Sequence, residues 1–146
     1  MTVNVAIIYY SIYGHAATLA EATKEGVDSV SAQTKNLFDA TGKFWAAGDL
    51  IGMPGGCFVS TSLKGAGQKA TQLITMVFMT SHGMTFVPHG YRAKQLFNVD
   101  EVHGGSPWGA GTIAGPDNSR QVSKLEKEIA MEQGKSFADV TKKLLA

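Results

Sequence analysis

The fold of this chain is decided by residues 3–27, which read VNVAIIYYSIYGHAATLAEATKEGV. The first six of these residues are almost all apolar, as in a strand buried on both faces. From Ala16 to Val27, apolar and small residues recur at helical spacing, which predicts a helix. A buried strand that leads through a polar loop into a helix is typical of α/β proteins.

The loop between this strand and this helix, Tyr9 to His15, predicts an anion site. The first N–H groups of a helix lack intrahelical partners and lie at the positive end of its dipole, so a phosphate binds there readily. The alternative is a purely structural turn in which Ser11 caps the helix. The chain has neither the glycine-lysine phosphate loop of nucleoside triphosphatases nor the glycine motif of dinucleotide-binding domains.

The length and net charge of the chain limit the kinds of protein that it can be. Its 146 residues predict one domain, residues 1–146, and a net charge of +1 argues against binding to nucleic acid. The single Cys57 lies in an apolar run and predicts a small core residue. We expect a cytoplasmic protein with no integral membrane segment, because no leader-like stretch and no run of eighteen apolar residues is present.

The rest of the chain alternates strands and helices. Helices are predicted at residues 31–40, at Gln68 to His82 and at the carboxyl end, where Gly134 interrupts the pattern. Strands are predicted at Gly56 to Ser60 and Thr85 to Val87. In the second helix, one side carries Leu73, Ile74, Val77 and Phe78. A long irregular stretch that includes residues 103–120 predicts a functional loop. The histidines have no metal-ligand spacing, so we expect no metal.

Several segments together resemble the WrbA-type flavoproteins. They are residues 10–15 (YSIYGH), 41–48 (TGKFWAAG), Ser60-Thr61, 82–84 (HGM) and, most specifically, 100–112 (DEVHGGSPWGAGT). This family comprises flavodoxin-like NAD(P)H:quinone oxidoreductases, and the resemblance covers nearly the whole chain. It implies an open parallel α/β sheet with helices on both faces, and FMN-dependent two-electron reduction of quinones by NADH or NADPH. It also implies a homo-oligomer, a dimer or a tetramer, with a role in oxidative stress.

The resemblance is interrupted between Val30 and Ser31. A flavodoxin-like fold has a second strand, a second helix and a third strand at this point, and the family's block includes a loop that contacts the flavin. Removal of an interior strand leaves buried backbone groups unpaired at ~1–3 kcal/mol each, which rivals the stability of a domain. The sequence therefore indicates either a block absent from it or a truncated product that pairs its strands differently.

The resemblance also implies roles for individual residues. FMN would be bound by Ser11, Ile12, Tyr13, Gly14, His15 and Ala16, and by Ser60, Thr61, Ser62, Leu63, Lys64 and Gly65. Tyr13 would also meet the nicotinamide, and Ser81 falls where the family has a histidine that faces flavin and substrate. Trp45 would cover the quinone pocket, although a core or interface tryptophan is an equal alternative. His82 has a structural alternative as the last residue of its helix.

Three departures from the family pattern favour a second hypothesis, a flavin-free scaffold that acts through oligomerisation or a partner. They are the missing block, Ser81 in place of histidine, and the altered loop Ser62-Leu63-Lys64. Lys64 would favour an anionic flavin or the phosphate of the nicotinamide nucleotide, or else lie in water. A one-electron flavodoxin fits poorly, because those proteins are acidic and this chain is nearly neutral.

Overall fold

The computed structural model describes residues 40–144 and residue 146. Within this part of the chain the elements, in order, are α1 (Gly42–Ala47), β1 (Pro54–Gly55), β2 (Val59–Thr61), α2 (Gln68–Ser81), β3 (Thr85–Phe86), a 3₁₀ helix (Lys94–Phe97), β4 (Gly111–Ile113) and α3 (Lys124–Leu144). The opening strand, the phosphate loop and the helix expected from residues 3–27 lie outside the described residues, as does the boundary between Val30 and Ser31.

The described strands form two parallel pairs, each of them a two-stranded sheet. β1 pairs with β3, with Pro54 opposite Thr85, and β2 pairs with β4, with Val59 opposite Gly111. Gly55 accepts from Val87 N–H, and Val59 donates to Ala110 O. Every second residue of a strand directs its backbone N–H and C=O to the same edge, and Gly55 and Val59 are four residues apart. β3 and β4 therefore lie along the same edge of residues 53–61. Residues 88–109 leave the sheet between these two pairings.

Helices α2 and α3 cover opposite faces of the residue 54–61 segment. A Cβ added at Gly55 would meet Met79 of α2, whereas one added at Gly56 would meet Phe137 of α3. Adjacent residues of a strand face opposite sides of a sheet, so the two helices lie on the two faces. This is the arrangement expected of an open α/β fold.

The core lies under α3. Its buried members are Phe58, Ala93, Ala110, Val122, Ile129 and Ala130, with Leu96 and Leu125 packed against them. Cys57 is also buried, which confirms the interpretation of this residue as a small core side chain. Gly134 is buried inside α3 and does not interrupt it, so the predicted break in this helix is wrong.

Helix α2 packs through its polar side. Its buried residues are Gln72, Thr75 and Met79, whereas Leu73, Ile74 and Val77 of the apolar side are exposed at 38%, 68% and 65%. The polar side is buried because the chain segment beneath it presents backbone groups: Gln72 donates to the carbonyl oxygens of Gly109 and Ala110. In the part of the chain that the structure covers, no helix is long and apolar enough to cross a membrane.

Candidate functional site

A cavity of about 270 Å³ lies where β2 and β4 end, at the carboxyl edge of the parallel strands. Ligands of open α/β folds bind at this edge. The residues that line the cavity are Leu63, Lys64, Gly65, Gly67, Gln68, Lys69, His103, Gly105, Ser106 and Ile113. They come from the loop after β2, the start of α2, the end of the segment 88–109 that leaves the sheet, and the last residue of β4.

The loop after β2 forms one wall of the cavity and depends on glycine. Gly65 and Gly67 have φ values of 82° and 86°, which favour glycine because a side chain is strained there. Thr61 Oγ1 donates to Leu63 O at 3.2 Å, and Ala66 N–H donates to the same carbonyl at 3.1 Å. These bonds turn the chain back towards the start of α2 at Gln68.

The opposite wall is held in place by two glutamines one turn apart on α2. Gln68 accepts from Gly105 N–H at 3.1 Å and donates to Thr112 O at 2.8 Å. Gln72 donates to Gly109 O at 3.0 Å and accepts from Ser106 Oγ at 2.8 Å. A side-chain amide offers both a donor and an acceptor, so it satisfies the irregular backbone of residues 105–112 from one helix face.

Glu126 holds the same segment from α3. Its carboxylate accepts from Gly104 N–H at 3.0 Å and from Thr112 Oγ1 at 2.8 Å, and Arg120 Nη1 lies 3.0 Å from Oε2. Burial alone raises the pKa of Glu126, but the N–H of Ser123 and then Arg120, Gly104 and Thr112 outweigh it and hold the pKa below its usual value. The buried carboxylate therefore stays charged and fixes both ends of the segment.

The electrostatic character of the cavity is positive. Lys64 and Lys69 line it, and none of the described residues around it is acidic. His103 lies with Nδ1 2.7 Å from Gly104 O and Nε2 3.1 Å from Asn98 O. The cavity thus suits an anionic or electron-rich group.

The sequence-predicted site residues are distributed over several parts of the chain. Residues 11–16, Tyr13 among them, lie outside the described residues. Ser60 and Thr61 end β2, and Leu63, Lys64 and Gly65 line the cavity. Ser81 ends α2 with an exposed hydroxyl that donates to Val77 O at 2.9 Å, and it does not line the cavity.

Trp45 and His82 lie away from this cavity. Trp45 is 62% exposed on α1, so the alternative of a core tryptophan is wrong, whereas a role at an interface or over a quinone stays a prediction. His82 follows the last residue of α2, and its ring nitrogens lie 2.9 Å from Thr41 Oγ1 and 3.1 Å from Phe78 O. These contacts are those of a helix end.

Sequence reasoning predicted a functional loop that includes residues 103–120 but assigned no role to His103, Gly105 or Ser106 within it. It missed Gln68 and Lys69. The pair Gln68 and Gln72, four residues apart on the side of α2 opposite its apolar residues, was a signal for a polar contact. Among the residues that the structure places, no group of three or more histidine, cysteine or acidic side chains could hold a metal ion.

The chain is similar over nearly its whole length to curated proteins. It is 37% identical to "NAD(P)H quinone oxidoreductase PST2" of Candida albicans, with 92% of this chain and 94% of the relative covered. It is 38% identical to "NAD(P)H quinone oxidoreductase PST3" of the same organism, with 98% and 100% covered. "Quinone-oxidoreductase QR2" of Triphysaria versicolor is 34% identical, with 99% and 98% covered. No protein-family model matches the chain.

These alignments are longer than the chain itself. They span 188, 199 and 200 positions, whereas the chain has 146 residues. Since each alignment also covers nearly all of the relative, each relative has residues for which this chain has no counterpart. This agrees with the expectation of a missing internal block; its position between Val30 and Ser31 stays a prediction.

A solved structure supports the fold. The chain superposes on "the flavodoxin, WrbA-like protein from Agrobacterium tumefaciens" with a TM-score of 0.68 over 94% of this chain and 96% of that chain, at 19% identity. The similarity confirms the flavodoxin-like α/β class expected from the sequence. With the three oxidoreductase relatives, it shows that this chain belongs to the family of WrbA-type, flavodoxin-like NAD(P)H:quinone oxidoreductases.

Proposed function

We propose that this protein transfers two electrons from NADH or NADPH to a quinone by way of bound FMN. The observation that carries the proposal is the cavity at the carboxyl edge of β2 and β4, lined by Leu63, Lys64 and Gly65. The names of the relatives support the reductant and the quinone, and the flavodoxin-like fold supports a flavin. Two-electron transfer would avoid the radical form of the quinone and so protect against oxidative stress.

The described residues fit one edge of a flavin. In residues 40–144, the backbone N–H groups of Ser62, Leu63, Lys64 and Gly65 make no hydrogen bond. Such groups are available to donate to the carbonyl oxygens and ring nitrogens of an isoalloxazine. Ser60 and Thr61 would support this loop from the end of β2, and residues 11–16 would hold the phosphate.

The protein would supply binding, orientation and exclusion of water. FMN, when bound, supplies the hydride chemistry, so no nucleophile of the protein is required. Lys64 would place a positive charge beside the ring edge or beside the reductant, which favours the negative charge that arrives with the hydride. The hydroxyl of Ser81 already donates within α2, and it would have to rotate to meet a substrate.

The alternative is a flavin-free scaffold that acts through oligomerisation or a partner. The observation that favours it is the internal block that the relatives have and this chain lacks, since that block is expected to carry a flavin-contacting loop. Under either hypothesis we propose a cytoplasmic homo-oligomer, a dimer or a tetramer, in which Trp45 meets a neighbouring subunit.

Purified protein tests the two hypotheses directly. The enzyme predicts a yellow protein, about one FMN released per chain on denaturation, and quinone-dependent oxidation of NADH or NADPH. Intact mass shows whether the purified chain has the 15.5 kDa of this sequence. A colourless oligomer of that mass, which takes up no FMN on titration, would favour the scaffold.

A matched pair of glycine variants tests the site itself. Gly65 and Gly52 have φ values of 82° and 77°, and a Cβ at either position meets nothing within 4 Å. Gly65→Ala and Gly52→Ala therefore introduce the same backbone strain of about 1 kcal/mol. Only Gly65 lines the cavity, so we expect Gly65→Ala to weaken FMN binding several-fold and Gly52→Ala to leave it unchanged.

A further inference from the structure

Gln68 bonds to both chain segments that flank the cavity. Its Nε2 donates to Thr61 Oγ1 at 3.1 Å, where the loop after β2 begins, and to Thr112 O of β4 at 2.8 Å. Its Oε1 accepts from Gly105 N–H at 3.1 Å. A carbonyl oxygen only accepts and a backbone N–H only donates, so Thr112 and Gly105 together fix the orientation of the amide. The NH₂ end of Gln68 therefore faces the hydroxyl of Thr61.

The hydroxyl of Thr61 extends this orientation into the loop. Because Thr61 Oγ1 accepts from Gln68, its own hydrogen points elsewhere, and it is donated to Leu63 O at 3.2 Å. Leu63 O also accepts from Ala66 N–H at 3.1 Å. Gln68 thus acts on the carbonyl of Leu63 through one intervening side chain.

The carbonyl of Leu63 sets the direction of the next backbone N–H. No cis peptide bond occurs among the described residues, so the Leu63–Lys64 peptide is trans and its N–H points opposite to its C=O. Thr61 and Ala66 hold the carbonyl, whereas Lys64 N–H makes no hydrogen bond within residues 40–144. This N–H is a donor available to a ligand, and it points away from the groups that hold Leu63.

The loop alone does not fix this direction. Residues 62–66 are exposed, and the positive φ values of Gly65 and Gly67 lie where glycine gives the backbone wide freedom. The anchor of Gln68 is rigid by comparison, since Thr112 is fully buried in β4. A Cβ at Gly111 would overlap Gln68 Oε1, so the amide lies tightly against that strand. Gln68 therefore connects a buried strand to an exposed loop.

Gln72 lies one turn further along α2 and lacks this connection. In the described part of the chain, all its side-chain hydrogen bonds go to residues 106–110, which lead into β4. Both glutamines support that irregular backbone, but the contact with Thr61 belongs to Gln68. This contact distinguishes Gln68 from a residue that only supports β4.

We propose that Gln68 is a positioning residue of the flavin site, which acts through Thr61 to direct Lys64 N–H towards the isoalloxazine. The inference rests on the proposed function, in which the loop after β2 lines one edge of the ring. Loss of the amide would free the Thr61 hydroxyl to rotate and would leave the Leu63–Lys64 peptide without a fixed direction. A donor contributes to binding only when it is aimed at its acceptor, so the affinity for FMN would fall.

Equilibrium dialysis of FMN against the flavin-free protein tests this series of contacts. Gln68→Leu and Thr61→Val each break it at one point, whereas Thr61→Ser keeps the hydroxyl. We expect the first two variants to bind FMN at least about tenfold more weakly and Thr61→Ser to stay within about twofold of the wild type. The double variant Gln68→Leu with Thr61→Val should bind FMN no more weakly than Gln68→Leu alone, because both changes break the same series.

Gln133→Leu separates loop orientation from stability. It makes the same substitution in α3, where the amide bonds to Cys57 O and Ala110 N–H and does not line the cavity. Urea midpoints of all variants are measured beside their FMN affinities, under conditions in which each variant is folded. Gln133→Leu should lose stability and yet bind FMN within about twofold of the wild type.

Three results would overturn the inference. Additive losses in the double variant would make Thr61 an independent contact of the flavin. Unchanged FMN binding in Gln68→Leu would leave the amide without a role at the site, and an equal loss in Gln133→Leu would reduce the effect to stability. If Gln68→Leu fails to fold, Thr61→Val and Thr61→Ser decide, and equal affinities of these two would overturn the inference.

The same measurements keep this inference apart from the proposed function. No uptake of FMN by the wild type would sink both of them. FMN binding in the expected order among the variants, without quinone turnover by the wild type, would sink the proposed function and support the role of Gln68.

Discussion

Gln133 donates through Nε2 to the backbone carbonyl of Cys57 at 2.9 Å. Its Oε1 accepts from Ala110 N–H at 2.7 Å. Cys57 lies between Gly55, which bonds to the β3 segment, and Val59, which bonds to the β4 segment, and it presents its carbonyl to the same edge. The side-chain amide of Gln133 therefore takes the place of a strand-to-strand backbone hydrogen bond at Cys57, where residues 88–109 leave the sheet.

Replacement of Gln133 by leucine should destabilise the protein. The change replaces the amide with an apolar side chain of similar size and leaves Cys57 O and Ala110 N–H buried without partners. Each of the two unsatisfied groups costs about 1–3 kcal/mol, so we expect a loss of about 2–6 kcal/mol in the free energy of unfolding. Urea denaturation followed by circular dichroism measures it.

Gln121→Leu is the control for this variant, since Gln121 is exposed and bonds only to Ser119 O nearby. Its unfolding free energy should change by less than about 0.5 kcal/mol. Equal midpoints for the two leucine variants would mean that the sheet tolerates the gap at Cys57 without the amide.

The contacts of Gln133 illustrate what the sequence did and did not reveal. Helical periodicity predicted α2 and α3 well, because both are long and regular. The strand at Gly111–Ile113 was missed, because three residues that begin with glycine have no local strand pattern. Its pairing with β2 and its support by Gln68, Gln72, Glu126 and Gln133 depend on residues up to 76 positions apart. Only the folded chain shows which amides meet which backbone groups.

A methyl group at Gly109 should be far more harmful than one at Gly42. A Cβ at Gly109 would overlap Cys57 O and lie 3.0 Å from Gln72 Nε2, so the two chain segments would have to separate. At Gly42, in α1, a Cβ meets nothing within 4 Å. We expect Gly109→Ala to lose several kcal/mol, or to fail to fold, and Gly42→Ala to gain up to about 1 kcal/mol from helix propensity.

Thermal unfolding of both glycine variants gives the comparison. A Gly109→Ala protein that unfolds at the wild-type temperature would show that residues 88–109 can move away from Cys57 at no cost, and the close approach would lose its significance.

Glu126→Gln should destabilise the protein at neutral pH. The variant keeps the shape of the side chain but removes the negative charge that lies 3.0 Å from Arg120 Nη1 and turns an amide towards a buried N–H donor. We expect a loss of about 2–4 kcal/mol. Glu132→Gln, whose half-exposed carboxylate lies 3.8 Å from Lys135 Nζ, is the control and should change by less than about 1 kcal/mol.

The penalty of Glu126→Gln should depend on pH. Because the folded-state pKa of Glu126 lies below its ordinary value of 4.5, its charge stabilises the fold above that pH. This contribution is lost as the pH falls through the folded-state value. The difference between wild type and variant should therefore shrink in acid; a constant difference between pH 7 and pH 3 would rule out the charge as its cause.

The last prediction concerns His89, a buried histidine whose ring has no hydrogen-bond partner. It is 1% exposed, and neither ring nitrogen is bonded. Burial, and then the charge of Arg92, lowers its pKa from 6.5 to about 4. The unfolded chain therefore binds a proton more readily, and stability present above pH 6.5 is lost as the pH falls through about 4.

His89→Leu should match or exceed the wild type at pH 7.5 and should lose less stability, by up to about 3 kcal/mol, between pH 7 and pH 4. Urea midpoints across this range measure it. The wild-type protein, measured in parallel, gives the reference slope. If His89→Leu kept that slope, other groups would carry the acid sensitivity.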